Sequence, residues 1–428
     1  MKLKSIYLGA IALLTVGMSS CSDWFDVSAK TDVKAEELFE TPEGFESALA
    51  GIYISMTDAD SYGRDLSFGL VDQLAQLYDR VPDGTTDREA IYQYEQESNG
   101  YSTKSRLAAI WLKSYNLIAN VNNFLKWLDS NGQSVLKDDQ VRNLYYGEAY
   151  ALRAYLHFDL LRGWGPMDYQ ASKSSLSIPY RLVADNSKQP RLSAEAVVGK
   201  ILADLKQAET YLAQEKTVSL SGNDRRFRLN YYAVKALEAR VNCYAGNAQD
   251  AISAAEEVIS HCGVTLQTSN SNDPSQFGET IFGVNKYKMS DSFSSYFSEG
   301  PDFTTQYWLG LANYKRIFEA EGNERDADFR ARRGAGFLVY DGVSRVISRK
   351  YIKNDNALIP LIRLPEMYYI LCEMSSLDAA PQYINTVRNR RGISNSNAYG
   401  TFASSDARVD ALSKEYRKEF YAEGQYFY

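Results

Sequence analysis

The feature that most limits the fold is a pair of long apolar periodicities between residues 104 and 162. Leu107, Ile110, Trp111, Leu117, Ile118, Val121, Phe124, Leu125 and Leu128 recur mostly at steps of three and four. That spacing marks one face of an α-helix, and Asn131-Gly132 supplies its stop. A second helix is predicted from about 139 to 162, halted by Gly163-Trp164-Gly165-Pro166. It carries Gly147, Ala149, Ala151 and Ala154 among large residues. Small residues let a partner helix approach closely, as stacked helical hairpins require.

The rest of the chain repeats this theme. Thr41-Pro42-Glu43 opens a helix with a cap, a first-turn proline and a first-turn acid. Ser193 caps another, with Val198, Ile201, Leu202, Leu205, Ala208 and Leu212 on one face. Residues 230–261 read as two helices joined at Gly246-Asn247, about 32 residues in all and close to one tetratricopeptide unit. Such units cannot bury their faces alone, so several must stack. Pro365, Ala380 to Arg391, and the row Val409, Leu412, Tyr416 and Phe420 mark closing helices, the last expected to reach Tyr428. From 263 to 362 the period fades. Thr280 to Val284 is predicted as a short strand, and residues 337–352 as a hairpin. The expected fold is mainly α: tetratricopeptide-like stacked helical hairpins with a smaller loop-rich lobe containing short strands.

The N-terminus reads as an export signal. Lys2 and Lys4 precede an uncharged run from Ile6 to Met18, then Ser19, Ser20 and Cys21. The run is too short to span a bilayer stably. Cys21 after two small residues resembles a bacterial lipoprotein box, with Met18 where Leu is usual. Acyl chains such as palmitate on Cys21 would anchor the chain at about 0.8 kcal/mol per buried CH₂. The expected organisation is a signal peptide (1–20), a lipidated tether (21–34), an N-terminal helical part (35–262), the variable lobe (263–362) and C-terminal helices (363–428). Trp24, Phe25 and Val27 are expected to dock the tether onto the body.

Charge excludes some functions. Removing residues 1–20 takes away Lys2 and Lys4 and no acid, so the net charge goes from −7 to −9. An acidic chain is a poor partner for nucleic acid or anionic lipid. No later apolar run approaches the roughly 18 residues of a membrane helix. Cys243, Cys262 and Cys372 are odd in number and expected to be unpaired.

Enzyme signatures are missing. His157 and His261 are the only histidines, and neither belongs to an HExxH or Cys/His set. No metal or cofactor site is predicted. Glu148, Glu238, Glu373 and Glu419 lie in apolar helices, where pairing with arginine is expected. The cluster from Arg325 to Arg333, beside Glu324, Asp326 and Asp328, reads as a solvated loop.

Tyrosine is abundant, 32 residues against 18 Phe and 5 Trp. Its apolar body and polar tip suit wet recognition surfaces and packed helix faces alike. Two aromatic loops are the candidate ligand site. Residues 79–101 offer Asp79, Arg80, Tyr92 and Tyr94; residues 285–310 offer Tyr287, Tyr296, Tyr307 and Trp308. Sugar rings present an apolar face and a hydroxyl edge, which aromatic platforms with planar hydrogen-bonding neighbours match. The alternative is that these rings pack the lobe onto the helices.

An ordered set of motifs resembles the SusD/RagB family of Bacteroidota outer-membrane nutrient-binding lipoproteins. It comprises Cys21 with Trp24-Phe25-Asp26-Val27, Glu36-Glu37-Leu38-Phe39-x-Thr41, Ala48-Leu49-Ala50-Gly51-Ile52-Tyr53, Trp111-x-x-x-Tyr115-x-x-Ile118-x-x-x-Asn122 and Gly147-Glu148-Ala149-Tyr150-Ala151-Leu152-Arg153-Ala154-Tyr155. Ile362-Arg363-Leu364-Pro365-Glu366-Met367, Ile384-Asn385-x-Val387-Arg388-x-Arg390 and Glu415-x-x-x-Glu419-Phe420-x-x-Glu423-Gly424 follow in family order. The resemblance implies a lid over a SusC-like TonB-dependent β-barrel transporter, facing the cell exterior, that captures glycans without chemistry. Peptides or glycopeptides are the alternative cargo, and a tetratricopeptide-type protein-interaction scaffold the alternative role. Family members usually continue past the Glu-Gly signature, so an unusually short or a truncated member is expected.

Overall fold

The structure, a computed structural model, describes residues 35–79, 87–95, 97–98, 101–269, 273–297, 306–319, 328–331, 336–340, 344–351 and 357–428. The signal, Cys21 and its tether, and Arg80 lie outside the described residues.

Helix α1 (Pro42–Ser55) begins where Thr41 Oγ1 accepts from Gly44 N at 3.1 Å. Helix α2 (Thr103–Trp127) runs into a wide turn at Leu128–Gly132. Helix α3 (Asp139–Trp164) is capped by Asp138, and helix α4 (Ala194–Tyr211) by Ser193. Asn230 caps α5 (Tyr231–Ala245), and Gly246 turns the chain at φ +73° into α6 (Ala248–His261). That left-handed turn favours glycine. Later come α7 (Leu311–Ile317), α8 (Leu364–Met374), α9 (Ala380–Arg390) and α10 (Ser405–Glu419).

These helices stack in chain order: α2 on α3, α3 on α4, α4 on α5, α5 on α6, α6 on α8 and α8 on α9. The mainly helical, hairpin-stacked architecture is therefore the one the periodicity predicts. Small residues carry the closest approach. A Cβ added at Gly147 would lie 2.4 Å from Leu212 Cγ, so the α3–α4 contact admits no side chain there.

The lobe adds two small antiparallel sheets. Strand β1 (Thr280–Asn285) pairs with β4 (Leu358–Arg363), which runs directly into α8. Strands β2 (Phe337–Tyr340) and β3 (Arg345–Ser348) form the hairpin, in register from Phe337 opposite Ser348 to Tyr340 opposite Arg345. Leu309-Gly310 adds a short edge to β3.

Two expectations need correction. The last helix stops at Glu419, short of Tyr428, because the chain then turns through Ala422 (φ +62°) and Gly424 (φ +75°). A helix cannot continue through left-handed residues. The stretch around 79–101 is also less irregular than composition suggests. Asp87–Tyr92 is helical, and Glu97-Ser98 pairs with Tyr101-Ser102.

A buried ionic knot joins the lobe to α10. Arg391, fully buried, donates to both oxygens of Glu279 at 2.8 Å and to Glu419 at 2.8 and 2.9 Å. Arg363 meets Glu423 at 2.8 and 2.9 Å and Glu419 at 2.8 Å. Arg330 pairs with Asp328, Glu415 and Glu419. Burial acts to raise the Glu415 carboxyl, but Arg330, Lys418 and Arg388 outweigh it and hold it at about 2. Glu419 is likewise held well below the carboxylate range, against its burial, by Arg391, Arg363 and Arg330.

Asp328 and Arg330 thus overturn the solvated-loop reading for themselves: each is buried, with charged partners from α10 or the same turn. Arg325, Arg333, Glu324 and Asp326 lie outside the described residues. The expected pairing with arginine is found for Glu148 and Glu419. Glu148 takes Arg225 at 2.7 Å and Arg228 at 3.4 Å, while Glu238 takes Lys235 in place of an arginine. Burial raises the Glu373 carboxyl, with Cys243 and Arg408 opposing.

Candidate ligand-binding face

Between α1 and the short helix Leu70–Leu74 the chain makes a succession of tight turns. Gly63 is packed against the Thr57 carbonyl, where a Cβ would lie 1.8 Å from the oxygen. Tyr62 anchors the turns by donating to Asp159 Oδ2 of α3 at 2.7 Å. The next residue but one, Arg64, is carried outward. It grips Asp65 through Nε at 2.8 Å and Nη2 at 3.0 Å. Arg106, from the first turn of α2, reaches the same carboxylate at 2.6 Å. Burial alone would raise Asp65, but Arg64 and Arg106 hold its carboxyl below the usual range.

An aromatic row rises to meet this pair of arginines. Tyr78 stacks on Tyr307 at 4.7 Å and 5°, and Tyr307 on Tyr296 at 5.5 Å and 13°. Gln73 Nε2 donates to the Tyr307 hydroxyl at 2.9 Å. At the outer end, Arg64 Nη1 donates to the Tyr296 hydroxyl at 3.0 Å. The row therefore passes from a buried base to a half-buried tyrosine edged by a guanidinium. Aromatic body and planar donor are together the elements that bind a sugar face and its hydroxyls.

The predicted site residues divide by environment. Tyr307 and Trp308 are only 4% and 8% exposed, so their rings are committed to packing. Arg345 lies 4.2 Å from the centre of the Trp308 ring. Asp79 ties the two loops together: its amide donates to the Trp308 carbonyl at 2.9 Å, and its carboxylate accepts from Gly310 N and Asn313 Nδ2. Tyr92 is half-buried, and its carbonyl accepts from Gln76. Tyr94 (61% exposed) and Tyr287 (82% exposed) present their rings to solvent. The Tyr94 hydroxyl donates to the Leu74 carbonyl at 3.0 Å. Asp79, Tyr296, Tyr307 and Trp308 are thus brought together.

Arg64, Asp65 and Arg106 were not singled out by sequence. Turn formers around Gly63 signal an irregular segment, but nothing local announces that an arginine 41 residues away shares the carboxylate of Asp65.

One of the two histidines is structural in setting. His157 is buried, stacked on Tyr180 at 3.8 Å, bonded to the Arg153 carbonyl and accepting from Arg181 N. Burial pushes it down to about 3. Cys243, Cys262 and Cys372 are free thiols. Among the described residues no group of three His, Cys, Asp or Glu side chains is placed to hold a metal, and no helix is long and apolar enough to cross a membrane.

The fold defines a class: a tetratricopeptide-like helical scaffold carrying a loop-rich lobe. Residues 23–242 match SusD-like_3, described as "Starch-binding associating with outer membrane", and residues 313–428 match the SusD family, SusD_RagB. The chain belongs to the SusD family. Two SusD-like proteins of Formosa agariphila are similar to it. P38 is 25% identical over 270 residues, covering 63% of this chain and 48% of that protein; P2 is 26% identical over 205 residues, covering 47% and 37%. The chain thus spans about half, or less, of the length of these relatives. Among solved structures, a SusD superfamily protein of Bacteroides thetaiotaomicron aligns with TM-score 0.71 at 21% identity, over 90% of this chain and 88% of that one. A SusD-like carbohydrate binding protein of Bacteroides vulgatus aligns with TM-score 0.67 at 16% identity, over 90% and 82%. At these identities the likeness concerns the fold.

Proposed function

We propose that this chain is a cell-surface lipoprotein, anchored through Cys21, that binds oligosaccharides and passes them to a SusC-like TonB-dependent transporter without chemistry. The observation that carries the reading is the row Tyr78–Tyr307–Tyr296, ending in a half-buried ring whose hydroxyl is held by Arg64. Tyr94 and Tyr287 supply exposed rings in the loops that flank it. Family membership and the carbohydrate-binding description of one structural neighbour point the same way. The ion pairs at Asp65 fix Arg64 and Arg106 before a ligand arrives, which reduces the ordering cost of binding.

A glycan and peptide array with the soluble chain lacking residues 1–21 tests the ligand class. Oligosaccharide binding, weakened at least tenfold by Tyr296→Ala and by Arg64→Met, is expected. Peptide binding alone, or saccharide binding indifferent to both changes, would sink the assignment. Cys21→Ala is expected to release the chain and abolish uptake while leaving ligand affinity unchanged, and surviving uptake would remove the anchoring role.

A further inference from the structure

Beneath the tyrosine row lies a carboxyl that no sequence pattern announces. Asp72, fully buried, belongs to the short helix Leu70–Leu74. Its two oxygens meet two distant parts of the chain. Oδ1 accepts from the Gly424 amide at 3.0 Å, and Oδ2 lies 3.2 Å from the Tyr78 hydroxyl. Only a bare backbone can come this close at Gly424, since a Cβ there would lie 2.5 Å from the Leu66 carbonyl oxygen. The next residue of the helix, Gln73, donates to the Tyr307 hydroxyl at 2.9 Å. Successive residues of one short helix thus hold the two inner rings of the row.

The protons at this junction can be counted. The Tyr78 hydroxyl also lies 2.9 Å from the Phe68 carbonyl oxygen. A hydroxyl has one proton, and a carbonyl only accepts. With Tyr78 donating to Phe68, the contact with Asp72 needs a proton on the carboxyl. An ionised carboxylate is the stronger acceptor and draws a hydroxyl to about 2.5–2.7 Å. Here the hydroxyl stands nearer the neutral carbonyl, as beside an uncharged acid. The ionisable groups within electrostatic reach from other elements are Lys350 beyond β3, its neighbour Tyr351, and Tyr421 and Glu423 of the C-terminal turn. Lys350 gives its ammonium to Glu423 and to the Tyr421 carbonyl. Burial pushes the Asp72 carboxyl well up and Glu423 adds to it, while Tyr78, Lys350 and the Gly424 amide offset only part.

We propose that Asp72 is a positioning residue of the ligand face, a neutral carboxylic acid that donates to the Tyr78 hydroxyl while Tyr78 donates to the Phe68 carbonyl. Its role rests on the saccharide-binding function proposed above. The relay ties both supports of Tyr296 to one point. Tyr78 carries Tyr296 through Tyr307, and the Phe68 ring lies 5.8 Å from Tyr296 directly. Arg64 is fixed by the same segment, since its carbonyl accepts from Gly69 N at 2.7 Å and from Ser67 Oγ at 3.2 Å. Ring and guanidinium are therefore set before a sugar arrives, which lowers the ordering cost of binding. An asparagine has the shape of the neutral acid, with a donor for Tyr78 and an acceptor for Gly424.

The test uses the full chain in a non-glycosidic detergent and the tightest oligosaccharide from the array. Asp72→Ala and Tyr78→Phe each remove a link of the relay and should weaken binding about 2–10-fold. Asp72→Asn should recover the affinity that Asp72→Ala loses. Should Asp72→Ala fail to fold, Tyr78→Phe, which keeps the ring, decides the positioning role. The folded chain keeps the Asp72 proton, while the unfolded chain loses it near the ordinary value of 3.8. The unaltered chain should therefore lose stability relative to Asp72→Asn as pH rises, so the gap between their urea midpoints widens from about pH 4 to about pH 7. Their infrared difference spectrum at neutral pH should show a protonated carboxyl band. A gap that does not widen, or a carboxylate band in place of the acid, makes Asp72 ionised and overturns the proposal. Saccharide affinity indifferent to Asp72→Ala and Tyr78→Phe overturns the positioning role and leaves the proposed function standing. No saccharide binding by the unaltered chain overturns both.

Discussion

The helical array from α2 to α6 and the joint between the lobe and α10 are both buried, yet opposite forces hold them. In the array, Leu152, Leu156, Ile201, Leu205, Val234 and Leu237 pack as apolar faces, and Gly147 lets α3 and α4 close. At the joint, Arg363, Arg391, Arg330, Glu279, Glu419 and Glu415 are also sequestered from water, but they bind through charge and geometry. An apolar contact tolerates loss of one partner at the cost of a cavity. An ionic knot does not, because the charge left behind has nowhere to go.

The sharpest break between the two regions is Arg391→Met. It takes a guanidinium from both carboxylates, leaving Glu279 only Arg363 and Glu419 only Arg363 and Arg330, and the uncompensated buried charge should cost about 3–5 kcal/mol, read as a fall in the urea midpoint. A loss below about 1 kcal/mol would mean that the apolar residues around the knot hold the joint unaided. Acid should act on the same region. Glu415 is shifted down from 4.5 to about 2, so its contribution is fully present above about pH 4.5 and disappears as pH falls toward 2. The loss is on the order of 3 kcal/mol from this carboxyl. Hydrogen exchange at low pH should open α10 and β4 before α5 and α6; simultaneous opening would erase the distinction.

On the array side, Gly147→Ala forces a methyl against Leu212 and should cost about 1–3 kcal/mol, without the acid sensitivity of the joint. The smallest effect belongs to Tyr287→Ala. With its ring 82% exposed, stability should stay within about 0.5 kcal/mol while affinity for the array's glycan falls. Unchanged affinity would confine the binding face to Tyr296, Tyr94 and the arginines.

Legibility followed the same division. The caps at Thr41 and Ser193, the turn at Gly246 and the helical pairs from α2 to α6 were readable, because helix geometry repeats every 3.6 residues. The β2–β3 hairpin and strand β1 were readable from local composition. The role of the C-terminal motifs was not. Arg363, Glu366, Arg388, Glu415, Glu419 and Glu423 stand in the sequence as scattered charges. Three-dimensional closure turns them into partners: Arg363 with Glu423, Arg388 with Glu415, Glu366 with Arg240. The aromatic loops were legible as rich in tyrosine. Which rings face water was not, so Trp308 and Tyr287, alike in sequence context, end at 8% and 82% exposure.

By itself the sequence determined the stacked-hairpin scaffold, since each helix carries its own apolar stripe and its own stop signals within a few residues. Only the tertiary structure decided how the ends of that scaffold are locked and which aromatics remain open to a ligand. Those outcomes depend on pairs such as Arg64 with Tyr296, or Arg391 with Glu279, separated by 232 and 112 residues. Long-range ion pairs and ring stacks have no sequence period. They form when the apolar array has already brought their elements within reach.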